Sequence, residues 1–240
     1  MPSASLTSSS LASPLATPDA PACGVPSHVR DWVAGWAVSR GASDPRTQPW
    51  GWTLDVGQPT QVARHVVVEA DAERVRDAAA QAQGQGWWLK VFLPGSCAEP
   101  EALVGQWLGD AWAFDSAAFL MSVELTPTEP GALPPGYQLR TWTQGGVVRV
   151  LVAAPDGSLA ARGQAGLAGD VAVPDQILTT PAHQRRGLGS VVVRSLQQQA
   201  LTAGASRAVL GATTEGRALY ESLGWRAHTA FASAFRASGE

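Results

Sequence analysis

The hydrophobic pattern changes period several times along the chain. Residues 28–39 (HVRDWVAGWAVS) place Val29, Trp32, Val33 and Trp36 at helical spacing, and Gly41 and Pro45 stop that helix. Trp52 to Val56 reads as a short strand, and residues 63–70 (ARHVVVEA) form a β-branched run. The stretch DAERVRDAAAQAQ that follows predicts a helix with Asp71 as N-cap, ended by Gly84 and Gly86. WWLKVFL (87–93) predicts a buried strand closed by the Pro94-Gly95 turn. Glu101 to Leu108 predicts a helix, and Ala118 to Leu125 another strand.

The segment TPTEPGALPPG (126–136) carries too much proline and glycine for either element, and is read as a linker. Beyond it, Tyr137 to Trp142, residues 147–154, Leu159 to Leu167 and Val171 to Thr180 read as consecutive strands, with turns at Pro155-Asp156-Gly157 and Gly169-Asp170. A helix from about Leu188 to Ala203 follows, its apolar residues Leu188, Val192, Leu196 and Ala200 forming one stripe.

Composition adds boundaries to this pattern. Residues 1–25 hold mainly Ser, Ala, Pro and Thr, cannot supply a core, and are expected to be disordered. They lack the basic start of a signal peptide, and no stretch is apolar over the ~18 residues a transmembrane helix needs. A cytoplasmic protein without a membrane partner is the expectation. The net charge of −3 implies no nucleic-acid partner. Its division is informative: residues 1–136 carry seven basic and fourteen acidic side chains, residues 137–240 ten basic and six acidic. An anionic ligand would find the second half friendlier. Cys23 and Cys97 stand outside any C-x-x-C, and the four histidines lack metal-ligand spacing, so no metal is expected.

The chemically specific segment is ILTTPAHQRRGLGSVVVRSLQQQAL (177–201). A strand ends at Thr180, a loop with two glycines follows, and a helix begins. The first N–H groups of a helix have no intrahelical acceptor and sit at the positive end of its dipole, so this arrangement is an anion cradle. Arg185 and Arg186 add formal charge. A P-loop would need a lysine after its second glycine, and a dinucleotide fingerprint would need a third glycine where Val192 stands.

The hexapeptide Gln184-Arg185-Arg186-Gly187-Leu188-Gly189 matches Q/R-x-x-G-x-G/A, and so resembles the coenzyme A pyrophosphate loop of the GNAT superfamily of N-acetyltransferases. Pro181 also sits where those proteins often have proline. Downstream, AVLGAT (208–213) leads into EGRALYESLGW (215–225), similar to the superfamily's closing A-x-x-L-Y-x-x-L-G-F/W pattern. The resemblance covers about residues 137–240. It implies an α/β (mixed-sheet) acyl-coenzyme A N-acyltransferase fold and transfer of an acetyl group from acetyl-CoA to an amine by direct attack. The strand end Leu178-Thr179-Thr180 would splay from its neighbour and offer backbone groups to the pantetheine arm. Gln184 and the amides of Arg185, Arg186, Gly187, Leu188, Gly189 and Ser190 would hold the pyrophosphate. Tyr220 would protonate the leaving thiolate, since a phenol of pKa ~10 keeps its proton at neutral pH. Asp175 would take the amine's proton, with Asp170 and Glu215 as alternatives. Relatives often place asparagine seven residues before the tyrosine; here that position is Thr213, which retains hydrogen-bonding capacity.

A full domain of this kind opens with a strand and two helices, for which there is no room between Trp142 and Val147. Residues 26–125 are therefore expected to complete the architecture as a degenerate tandem copy without a phosphate loop. Eight of the ten tryptophans lie before residue 137, and some could line an acceptor cleft between the halves. The acceptor amine and self-association stay open. The competing reading is a catalytically silent acyl-CoA-binding or regulatory module.

Overall fold

In a computed structural model, residues 25–95 and 97–236 are described; the tail over residues 1–24, including Cys23, lies outside them. The predicted period changes correspond to real elements. The first helix, α1 (Val25–Arg40), buries Val29, Trp32, Val33 and Trp36. Two short strands follow, β1 (Arg46–Gln48) and β2 (Gly51–Gln58), then β3 (Gln61–Val67). Helix α2 (Ala72–Ala80) starts where predicted, with the Asp71 side chain accepting from the Arg74 N–H. Strand β4 (Trp87–Val91), helix α3 (Pro100–Leu108), strand β5 (Trp112–Phe114) and strand β6 (Ala118–Glu124) complete the first half. Strands β1 and β5 span three residues each, too few to show a period.

Residues 125–137 hold no strand or helix. The second half contains β7 (Gln138–Gln144), β8 (Val147–Ala153), β9 (Leu159–Ala168) and β10 (Val171–Thr179), then a short 3-10 turn at Pro181–His183. Helix α4 (Leu188–Thr202), strand β11 (Arg207–Thr213), helix α5 (Thr214–Ser222) and strand β12 (Arg226–Arg236) end it.

All these strands form one sheet in the order β1-β2-β3-β4-β12-β6-β11-β10-β9-β8-β7, with β5 on β12. The halves exchange strands. Strand β6, from before the proline-rich segment, lies between β11 and β12, and pairs residue for residue with β11 from Arg207↔Glu124 to Thr213↔Ala118. Strand β12 pairs β6 through Arg226–Phe231, then β4 through Ala232–Phe235. It is the seam of the molecule.

Strand alternation decides what covers each face of the second half. Val171 and Val173 of β10 pack with α1, while Ala172 packs with α4 residues such as Val193 and Ala200. So α1, from the far N-terminal end, roofs the sheet that the C-terminal segments build. The approach is close: a side chain at Gly166 of β9 would lie 2.0 Å from the Gly35 carbonyl oxygen of α1. Its C-terminal residue, Arg40, is thereby delivered to β10.

Candidate functional site

Strands β10 and β11 run parallel but pair at only two positions, Val171↔Arg207 and Ala172↔Ala208. Beyond Ala172 they diverge. The register between β10 and β9 also breaks between Asp175 and Leu178, with Gln176 in the left-handed region at φ 52°. The bulge turns β10 away from β11 and leaves backbone from Asp175 to Thr179 along a cleft. The first half has no such opening, because β3 and β4 pair from Ala63↔Trp87 to Val67↔Val91. The N-terminus of α2 there is also already capped by the Asp71 carboxylate.

The cleft opens into a cavity of about 730 Å³. Its walls include the strand segment Asp175–Thr179, the loop at Gln184, Arg185 and Gly187–Ser190, and Thr213 and Tyr220 from the β11–α5 unit. The predicted residues therefore meet around one space. Thr180 and Arg186 stand outside the lining: the Thr180 hydroxyl donates to the Leu159 and Ala160 carbonyls, and Arg186 is exposed. Of the alternative bases, Glu215 lines the cavity, whereas Asp170 sits at the β9–β10 turn, ion-paired with Arg207.

At the mouth, Arg185 has φ 59° and Gly187 φ 76°, so the chain makes two left-handed steps before α4 begins. A side chain would strain the second step, and glycine removes that strain. Gly187 is the N-cap of α4 but has no side chain to cap it, so the N–H groups of Leu188, Gly189 and Ser190 precede the first intrahelical bond, Val191 N–H to the Gly187 carbonyl at 3.2 Å. Uncapped N–H groups at the positive end of a 15-residue helix suit a pyrophosphate. Thr213, which the resemblance would make a cofactor contact, is also the N-cap of α5, its hydroxyl accepting from the Gly216 N–H at 3.1 Å.

Tyr220 is 9% exposed and packs edge-on against Trp225, ring centroids 5.7 Å apart. Burial, and then the negative charge of Asp175, push its phenol up to about 12, so the hydroxyl is a proton donor throughout the neutral range. Asp175 is tied to α1. Its carboxylate accepts from Arg40 Nε, from Arg40 Nη2 at 3.0 Å, and from the Ser39 hydroxyl at 3.2 Å.

Of the remaining wall, the tryptophans match the expectation that some of them line a cleft, and the cations were not anticipated from the pattern. Trp32, Trp36 and Arg40 of α1, Arg64 of β3 and Lys90 of β4 also line the cavity. The available signal was a charge inside an apolar strand run, Arg64 in ARHVVVEA and Lys90 in WWLKVFL, which burial turns into a functional flag. Among the described residues no group of three His, Cys, Asp or Glu side chains could hold a metal ion, and no helix is long and apolar enough to cross a membrane.

Residues 146–233 match the family model described as FR47-like protein. No curated protein matches the sequence. Among solved structures, a GCN5-related N-acetyltransferase from Kribbella flavida is 18% identical, with 91% of this chain and 98% of that one covered and a TM-score of 0.62. A GCN5-related N-acetyltransferase-like protein from Streptococcus suis 89/1591 is 12% identical, with 74% and 80% covered and a TM-score of 0.53. The chain thus has the fold of the GCN5-related N-acetyltransferases, and its second half matches the FR47-like model over residues 146–233.

Proposed function

We propose that this protein transfers an acetyl group from acetyl-CoA to an amine. One observation carries the reading: the uncapped N-terminus of α4, the splayed strand β10 and the Tyr220 phenol face one continuous cavity. The residues suit the cofactor part by part. The N–H groups from Leu188 to Ser190, with Gln184 and Arg185 beside them, would bind the pyrophosphate. The bulged backbone Leu178–Thr179 would pair with the pantetheine amides. The thioester supplies an electrophilic carbonyl carbon and a sulfur leaving group.

The amine lone pair would bond to that carbon while Asp175 presents an anion to the developing ammonium and takes its surplus proton, directly or through water. As the carbon–sulfur bond breaks, the electron pair stays on sulfur and the Tyr220 hydroxyl donates to it. An amide and a free thiol are formed, and the proton from the amine returns to the tyrosine through solvent. General acid help of this type contributes roughly 10²–10⁴-fold. The division of the chain into a reactive half (137–240) and a degenerate partner half (26–125), joined by residues 126–136, belongs to the same proposal.

The direct test is release of free thiol from acetyl-CoA in the presence of an amine library. Amine-dependent release above the hydrolytic background is expected. Saturable binding of acetyl-CoA without any amine-dependent release would instead support a silent acyl-CoA-binding module.

A further inference from the structure

The reading above leaves unexplained why two cations are buried in the wall of the same cavity. Arg64 is 6% exposed and Lys90 8% exposed. They stand on neighbouring parallel strands, where Arg64 is level with Trp88 and Val66 with Lys90, so both side chains leave the same face toward α1. Among the described residues neither forms an ion pair.

Both are nevertheless held in place. The Arg64 guanidinium lies over the Trp36 ring, 3.6 Å from its centroid. The Gln61 amide oxygen, in the orientation that satisfies both groups, accepts from Arg64 Nε and Nη2 at 2.9 and 2.8 Å. The Lys90 ammonium donates to the Ser233 hydroxyl and lies 4.9 Å from the Trp88 ring centroid. The nearby carboxylates are engaged elsewhere: Asp175 with Arg40 and Ser39, and Asp115 with the Ser116 N–H. Burial lowers Arg64 to about 9 and holds Lys90 well below its ordinary value; Asp175 offsets part of this at Arg64 against repulsion from Arg40, and Asp115 and Asp175 offset part of it at Lys90 against repulsion from Arg64 and Arg40. A buried charge without a directly bonded counter-ion is costly, and two beside each other are worse.

We infer that the acceptor amine also carries a carboxylate, and that Arg64 and Lys90 form its binding site. This rests on the transfer reading, since the same cavity must hold the thioester. The bound carboxylate would supply the missing counter-charge. A guanidinium fixed flat on tryptophan offers its open edge to a planar carboxylate. The amine end would then lie toward Asp175 and Tyr220, which line the same space.

The test compares α-, β- and γ-amino acids with their carboxamides and aminophosphonates, by thiol release from acetyl-CoA. In the wild-type protein the preferred acid should exceed its amide by roughly 10²-fold in kcat/KM, as expected for a buried charge pair. Arg64→Gln should raise KM for the acid with little change in kcat, and lower the amide's kcat/KM far less than the acid's. Lys90→Met should act in the same direction, and serves if Arg64→Gln fails to fold. Equal use of acids and amides, or a preference for phosphonates, would overturn the inference. If no compound is acetylated, binding of N-acetylated amino acids in the presence of coenzyme A is measured by calorimetry, and no binding is also a refutation. Calorimetry with acetyl-CoA alone keeps the two ideas apart: loss of that binding in the wild-type protein defeats the transfer reading, whereas retained binding without acid selectivity defeats only this one.

Discussion

Tyr220 has two local neighbours, Trp225 edge-on and Gly216, which leaves room for the ring, and it feels the charge of Asp175. Tyr220→Phe removes one hydroxyl and little volume. Thiol release should fall roughly 10²–10⁴-fold in kcat under chemistry-limited conditions, with acetyl-CoA affinity kept. Because the phenol is raised to about 12, no loss of rate on the alkaline side should trace to it below pH ~10. A second residue contributes to the acid limit of stability. His65 is 1% exposed, its Nδ1 bonded to the Thr53 hydroxyl at 2.8 Å, and burial and then Arg46 push it down to about 4. The unfolded chain protonates this histidine near pH ~6.5, so the neutral native form is favoured above that value. The corresponding stability, at most about 3 kcal/mol, is lost as the pH falls from 6.5 toward 4. Urea midpoints at pH 7 and pH 4.5 should show this fall, and His65→Leu should reduce it, leaving the part due to His228, which burial and then His28 also push down to about 4.

At the scale of elements, the start of α4 matters most. Gly187 takes φ 76°, and a side chain at Gly189 would meet Leu219 of α5 at 3.2 Å. Gly187→Val should cost about 1–2 kcal/mol through its left-handed backbone and weaken acetyl-CoA binding at least ~10-fold. Gly189→Leu should weaken binding similarly, by forcing apart α4 and α5. Calorimetry reads the affinities and thermal unfolding confirms the fold; unchanged affinity in both variants would remove the loop from the binding site. This element was legible because its signal is local: a glycine spacing, a helix start and a stripe of Leu188, Val192, Leu196 and Ala200, all buried in the structure. The Arg40–Asp175 contact was not, because 135 residues separate its partners and α1 gives no sign of which strand it will cover.

For the whole molecule, the exchanged strands couple the halves. Without residues 1–136 the second half loses β6, and so exposes the paired edges of both β11 and β12. Residues 137–240 expressed alone should aggregate or unfold, since open strand edges template association. Residues 25–127 and 128–240 produced together should instead assemble into a stable one-to-one complex, checked by co-purification and cooperative melting. A monomeric, cooperatively folding 137–240 fragment would show that β6 is dispensable. The sequence by itself determined the local features: where the chain changes period, where α2 is capped, and which glycine loop opens α4. Each depends on residues within one or two turns of each other, so spacing and residue type suffice. Tertiary structure decided what the halves do for each other: β6 inserted beside β11, α1 laid over β10, and Arg64 and Lys90 turned into the cavity wall. Those placements come from long-range strand pairing and the burial of complementary faces, and no short window of sequence encodes which distant partner completes them.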